Sequence, residues 1–150
     1  MKKLVFILFA VLSVISVYAQ ADPVSWKFSS KKIADKVYEI HMTAIINNGW
    51  HVYSQTQPAD AIAIPTKFVL NNNPLATLSG KIAEIGKVEK FHDASINISA
   101  NQYSQKVDFV QKVTLKAAVK TNITGTVTYQ TCNDKECLPP KKVTFKVDLG

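Results

Sequence analysis

At 150 residues the chain is long enough to close one hydrophobic core and too short for two ordinary domains. Its formal charge of +7 comes from 18 lysines against 11 acids, with no arginine anywhere, and the lysines are spread along the chain. A nucleic-acid surface would carry arginine and a clustered basic stripe, so the charge reads as a solvated face and nucleic acid is excluded as a partner.

Residues 1–19 read as a secretory signal peptide. Met1-Lys2-Lys3 supplies the positive start, Leu4 to Val17 is a nearly continuous apolar run, and Val17-Tyr18-Ala19 offers small residues at the peptidase positions. The run is shorter than the ~18–20 residues that span a bilayer, and no cysteine near the cut suggests a lipid anchor. The expected mature domain is therefore residues 20–150, with 16 lysines against 11 acids and a net charge of +5. Export places it in an oxidising compartment, where a cysteine pair persists as a disulfide.

In chain order, Val24, Trp26 and Phe28 alternate and predict a short first strand, with a polar turn over Lys31 to Asp35. Tyr38, Ile40, Met42, Ala44 and Ile46 occupy one phase of a clean period of two, the signature of a half-buried strand. Asn47-Asn48-Gly49 predicts a turn, and a return strand begins at Trp50 and Val52. Ser54 to Ala63 reads as a loop over one end of the domain, Pro65 to Leu70 as a strand, and Asn71 to Pro74 as a turn. Alternation is weak over Lys81 to Lys90 and is broken by a loop at Phe91-His92-Asp93-Ala94. A long strand shares one phase from Val107 through Phe109, Gln111, Val113 and Leu115 to Val119. Thr121 to Gly125 then turns the chain into a final hairpin. No amphipathic helix of three turns appears, and eight or nine short runs between turn signals predict an all-β antiparallel sandwich.

The chemistry concentrates in that hairpin. Val127, Tyr129 and Thr131 alternate before the tip, Val143, Phe145, Val147 and Leu149 after it, and Cys132 and Cys137 bracket the tip between them. Facing residues in a non-hydrogen-bonded antiparallel pair have Cα atoms ~4.5 Å apart, and a disulfide accepts ~4.4–6.8 Å, so the two can bond. A bridge closing about six residues contributes only ~2 kcal/mol through the unfolded state. A staple is weakly rewarded at this spacing, and both a working pair and a structural bridge stand. A metal site has no support, because His41, His51 and His92 are scattered and no second close ligand pair exists. Asp134 and Glu136 would raise a neighbouring thiol pKa, and Lys141 and Lys142 would lower it.

Val127-Thr128-Tyr129-Gln130, then Cys132, then Cys137 followed by Pro139-Pro140, resembles the N-terminal periplasmic domain of the thiol:disulfide interchange protein DsbD. Asn48-Gly49-Trp50-His51-Val52-Tyr53 looks like the aromatic strand start of that domain, and Lys90-Phe91-His92 falls where it carries a cap loop. The likeness extends from about Trp26 to Leu149. It implies an immunoglobulin-like sandwich that exchanges dithiol for disulfide without a cofactor. It further implies Cys132 and Cys137 as the exchanging pair, Phe91 as a lid over them, and Trp50 and Tyr53 as walls of the site. The expected partners are thioredoxin-fold periplasmic proteins. This chain has one residue fewer between its cysteines than the best-known members, and its 150 residues hold neither a membrane module nor a thioredoxin-like domain. A separate membrane thiol–disulfide transporter is therefore the expected electron source. The competing expectation is a secreted immunoglobulin-like binding or assembly module whose bridge is only structural. Read as residues alone, Phe91 fits a satellite core side chain as well as a lid, whereas core packing is the favoured reading of Trp50 and Tyr53 and a surface histidine that of His51.

Overall fold

The cleanest alternation in the sequence becomes the centre of the fold. In the computed structural model, which describes residues 22–150, Val37–Ile46 is strand β2 and buries every second side chain. Ile40, Met42 and Ala44 are fully buried, so a period of two has become one face against the core. The expected signal peptide, residues 1–19, lies outside the described residues.

Strands β1 (Val24–Ala34), β2, β8 (Lys106–Leu115) and β5 (Ala76–Ile85) form one antiparallel sheet in the order β1-β2-β8-β5. Strands β9 (Thr121–Tyr129), β11 (Lys141–Leu149) and β4 (Lys67–Leu70) form a second, with β9 between its two partners. The inner faces of these sheets enclose the main core. Trp26 packs on Phe68, Phe109 and Tyr129, and Phe28 stacks on Phe145 with ring centroids 4.6 Å apart. Such offset aromatic pairs add to the burial of large apolar surfaces.

A third sheet carries the chemistry. It orders β10 (Thr131–Cys132), β3 (His51–Tyr53), β7 (Ile98–Ser104) and β6 (Glu89–Asp93). Each of its inner strands continues a strand of the sandwich: β3 follows β2 after the Asn47–Gly49 turn, and β7 runs into β8 through Gln105, whose φ is 63°. Val52 and Tyr103 join the main core, while Tyr53, Ala100 and Cys132 form a small second core with Ala63 packed on it. The result is the expected immunoglobulin-like antiparallel sandwich, with eleven strands among the described residues.

Several boundaries differ from the sequence reading. Lys31–Ala34 continues β1 instead of turning, with a register shift between Lys32 and Ala34 and the turn delayed to Asp35–Lys36. This end of β1 is exposed on both faces, so burial imposes no alternating apolar phase on it. Thr121–Gly125 is the first half of β9, and the long strand ends at Leu115, short of Ala117 and Val119. Phe91 lies within β6, paired with Ala100, and the loop begins only after Asp93.

Candidate functional site

The final hairpin zips β9 to β11 from Leu149↔Thr121 up to Lys141↔Tyr129, and then the ascending strand changes sheets. After Gln130, Thr131 and Cys132 pair with Val52 and His51 of β3. Both are buried, and Cys132 is 2 % exposed. Asn133 closes the tip: its Oδ1 accepts from the amides of Lys135 and Glu136 at 2.8 Å each, and its own amide donates to the Glu136 carbonyl at 2.9 Å. Asparagine suits this place because its side chain mimics a turn carbonyl. The Leu138 amide returns to the Thr131 carbonyl at 2.9 Å. Cys137 is thereby set opposite Cys132 in an isolated antiparallel bridge, bonded to it with Cα atoms 4.1 Å apart. Cys137 is exposed.

The pair therefore has one sulfur on a buried ladder and one at the surface. A hollow of ≈ 320 Å³ opens beside it, lined by His51, Tyr53, Phe91, Gln102, Asn133 and Asp134 as well as the two cysteines. A second, more apolar hollow of ≈ 410 Å³ reaches Cys137 from the side of Ile62, Ala63, Ile96 and Ile98. Phe91 and Tyr53 border both. Phe91 is 49 % exposed and Ile62 77 %, so the exposed cysteine sits beside apolar side chains that are themselves open to solvent.

Tyr53 is fixed at both ends. Its hydroxyl lies 4.0 Å from Cys137 Sγ and 3.3 Å from His51 Nε2, and Thr66 Oγ1 donates to its carbonyl at 2.5 Å. The loop that leaves it is tied across to β5. Glu84 accepts from Ser54 Oγ and the Gln55 amide at 2.7 Å each, from Gln55 Nε2 at 3.0 Å, and from Tyr103 Oη at 2.6 Å. Burial pushes the Tyr53 phenol above 10.0, and it pulls the His51 imidazole below 6.5 against the opposing charges of Asp134 and Glu89.

Cys132, Cys137, Phe91 and Tyr53 are thus brought together, whereas Trp50 packs against the main core. The sequence reading set His51 aside as a surface residue and did not single out Gln102 or Asn133. The signal for His51 was its phase: Val52 faces the main core, so His51 and Tyr53 share the opposite face.

The family model for the N-terminal domain of the thiol:disulfide interchange protein DsbD matches residues 18–149. No curated protein matches the chain. Among solved structures, that of the complex between the DsbD and PilB N-terminal domains of Neisseria meningitidis aligns at 16% identity and a TM-score of 0.53, over 87% of each chain. The N-terminal periplasmic domain of ScsB from Proteus mirabilis aligns at 15% identity and a TM-score of 0.50, over 84% of this chain and 44% of that one. The reduced DsbD N-terminal domain of Neisseria meningitidis aligns at 17% identity and a TM-score of 0.45, over 83% of each chain. At these identities the structural likeness bears on the fold, and the family rests on the sequence match. With nearly the whole chain covered by it, this protein belongs to the DsbD N-terminal domain family, whose chemistry is thiol–disulfide exchange.

Proposed function

We propose that this protein is a periplasmic thiol–disulfide carrier in which Cys132 and Cys137 are the exchanging pair. The observation that carries the reading is the unequal exposure of the two sulfurs. A bridge kept only for stability gains from burying both, whereas exchange needs one sulfur within reach of a partner. Cys137 is exposed beside two hollows and Cys132 is held on β10 behind it. In the reduced protein the Cys137 thiolate attacks a partner's disulfide and forms a mixed disulfide. Cys132 then displaces the partner and restores the internal bridge. The pair loses two electrons, and the partner's disulfide becomes two thiols.

The partners in this reading are thioredoxin-fold proteins of the periplasm, with a separate membrane thiol–disulfide transporter restoring the dithiol. Support comes from the matched structures, one of a DsbD N-terminal domain bound to another protein's domain and one described as periplasmic. Phe91 acts as a lid in which an edge-strand side chain screens Cys137 until the partner moves it, and cleavage after Ala19 releases the mature domain.

Trapping tests the assignment. The Cys132→Ala variant, which keeps the exposed thiol, is expected to accumulate a mixed disulfide with a thioredoxin-fold protein, and Cys137→Ala is not. Trapping through Cys132 alone would reverse the roles. A reduction potential well below about −300 mV, the range of inert structural bridges, would remove the carrier function altogether.

A further inference from the structure

Two polar side chains lead away from the exposed sulfur in series. Tyr53 Oη lies 4.0 Å from Cys137 Sγ, within reach for a hydrogen bond to sulfur, and His51 Nε2 lies 3.3 Å from Tyr53 Oη. Their rings meet edge to face with centroids 5.3 Å apart. Both side chains leave the same face of β3 because Val52 between them points into the main core. Burial on that face keeps the imidazole below its usual 6.5 and hence neutral at pH 7, with one N–H to donate.

The surroundings of the sulfur give this series a task. A free thiol has a pKa of ~8.5 and is mostly protonated at neutral pH. Asp134 lines the same hollow, and Glu89 approaches from β6, where its carboxylate also accepts from Ser104 Oγ at 2.9 Å. From β10 and β7 the residues opposite His51 are Cys132 and Ser104, which bring no positive charge. Asp134 opposes a thiolate at Cys137 from within that hollow, and a donor aimed at the sulfur offsets it.

We propose that Tyr53 is a catalytic residue that donates its hydroxyl proton in a hydrogen bond to the Cys137 thiolate. His51 is a positioning residue that donates from Nε2 to Tyr53 Oη and polarises that bond. The inference rests on Cys137 being the exchanging sulfur. No proton changes owner along the series. In reduction of a partner, the thiolate's electron pair forms the new S–S bond, and the partner's departing sulfur takes the pair of the broken bond and then a proton from solvent. When Cys132 closes the internal bridge, its electron pair displaces the partner's sulfur from Cys137. In the reverse direction, a partner thiolate attacks Cys137 and expels Cys132, and the partner's second thiolate then closes the partner's disulfide and displaces Cys137 as a thiolate, which the same hydrogen bond stabilises.

The test reads the thiolate directly, as the rate of iodoacetamide alkylation of Cys137 between pH 5 and 9 in the Cys132→Ala protein. Adding Tyr53→Phe should lower the rate at pH 7 about tenfold, a shift of about 1.4 kcal/mol. His51→Leu should lower it in the same direction, and His51→Gln, whose amide can still donate, should recover most of the loss. In the Tyr53→Phe background the His51→Leu change should have no further effect, since donors in series are not independent. Melting curves identify any variant that fails to fold, and His51→Gln with Tyr53→Phe, both close in shape to the originals, keep the test decisive. An unchanged titration in Tyr53→Phe, or a His51 effect that persists undiminished in that background, overturns the inference. The parent reading is scored separately, by whether the protein with both cysteines reduces 2-hydroxyethyl disulfide. If it does and Tyr53→Phe matches it at every pH, only the series falls. If it does not, the carrier function falls with it.

Discussion

Cys132 is held against β3 at 2 % exposure while Cys137 stands outside every named strand and faces solvent, so a reductant meets the two sulfurs unequally. Phe91 decides how unequally. Its ring borders both hollows that lead to Cys137, and half of it is exposed. Truncation to alanine would merge the two approaches without leaving a cavity in the main core. Phe91→Ala is therefore expected to speed reduction of the oxidised protein by dithiothreitol severalfold, because exchange rates depend on access to the sulfur, with little change in melting temperature. A rate equal to the parent's would remove Phe91 from the site. At this scale the sequence was partly legible. The cysteines announce themselves, and Phe91 and Tyr53 were suggested by a family pattern. Trp50 was not separable from Tyr53 by type, only by side: Trp50 lies just before β3 and packs on the main core, whereas Tyr53, at the end of β3, packs with Cys132. Asn133 was hidden because its work is done on its neighbours' amides.

Gly125 shows how a strand can read as a turn. Within Thr121 to Gly125 the polar residues and the glycine carry the usual turn signals, yet β9 runs straight through them. The glycine is there because Phe145 lies opposite it in the ladder. A Cβ would come within 2.8 Å of that ring and 2.7 Å of the Val69 carbonyl. Gly125→Ala is expected to cost ~1–3 kcal/mol, the usual range for overpacking a fitted core, and a denaturant titration would register it as a lower midpoint with unchanged slope. Retained stability would mean that β4 and β11 can separate to admit a methyl. Strands with one buried face, such as β2, were legible from the period of two. Edge segments were not, because exposure on both faces erases alternation. β6 and the end of β1 are both of this kind, and both were read as turns or loops.

Two buried phenols tie distant parts of the molecule together, one of them at the start of the described chain. Tyr129 Oη donates to Asp22 Oδ2 at 2.5 Å, and Lys141 Nζ lies 3.2 Å from the same oxygen, so the first described residue is clasped to the hairpin. Tyr103 makes the equivalent bond to Glu84. Burial, and then the adjacent carboxylate, push both phenols well above 10.0. In the unfolded chain they ionise near 10, while in the folded protein they do not. The unfolded state therefore releases protons first as pH rises, and stability is lost above about pH 10. Tyr129→Phe should cost about 1 kcal/mol at pH 7 for the lost bond and should flatten the alkaline decline. Equal slopes above pH 10 in thermal melts of the two proteins would show that the phenol ionises normally.

The change of sheet at Gln130 has a mechanical consequence. Below it, the hairpin is part of the sandwich wall; above it, Thr131 and Cys132 are fastened to β3, and the residues from Asn133 to Leu138 are bound mainly to one another and to Thr131. A bond made or broken at the tip therefore pulls on a short, self-contained turn and not on the nine-rung ladder beneath it. The joint acts as an insulator between chemistry and scaffold, letting the bridge open and close repeatedly while the β9–β11 ladder stays zipped.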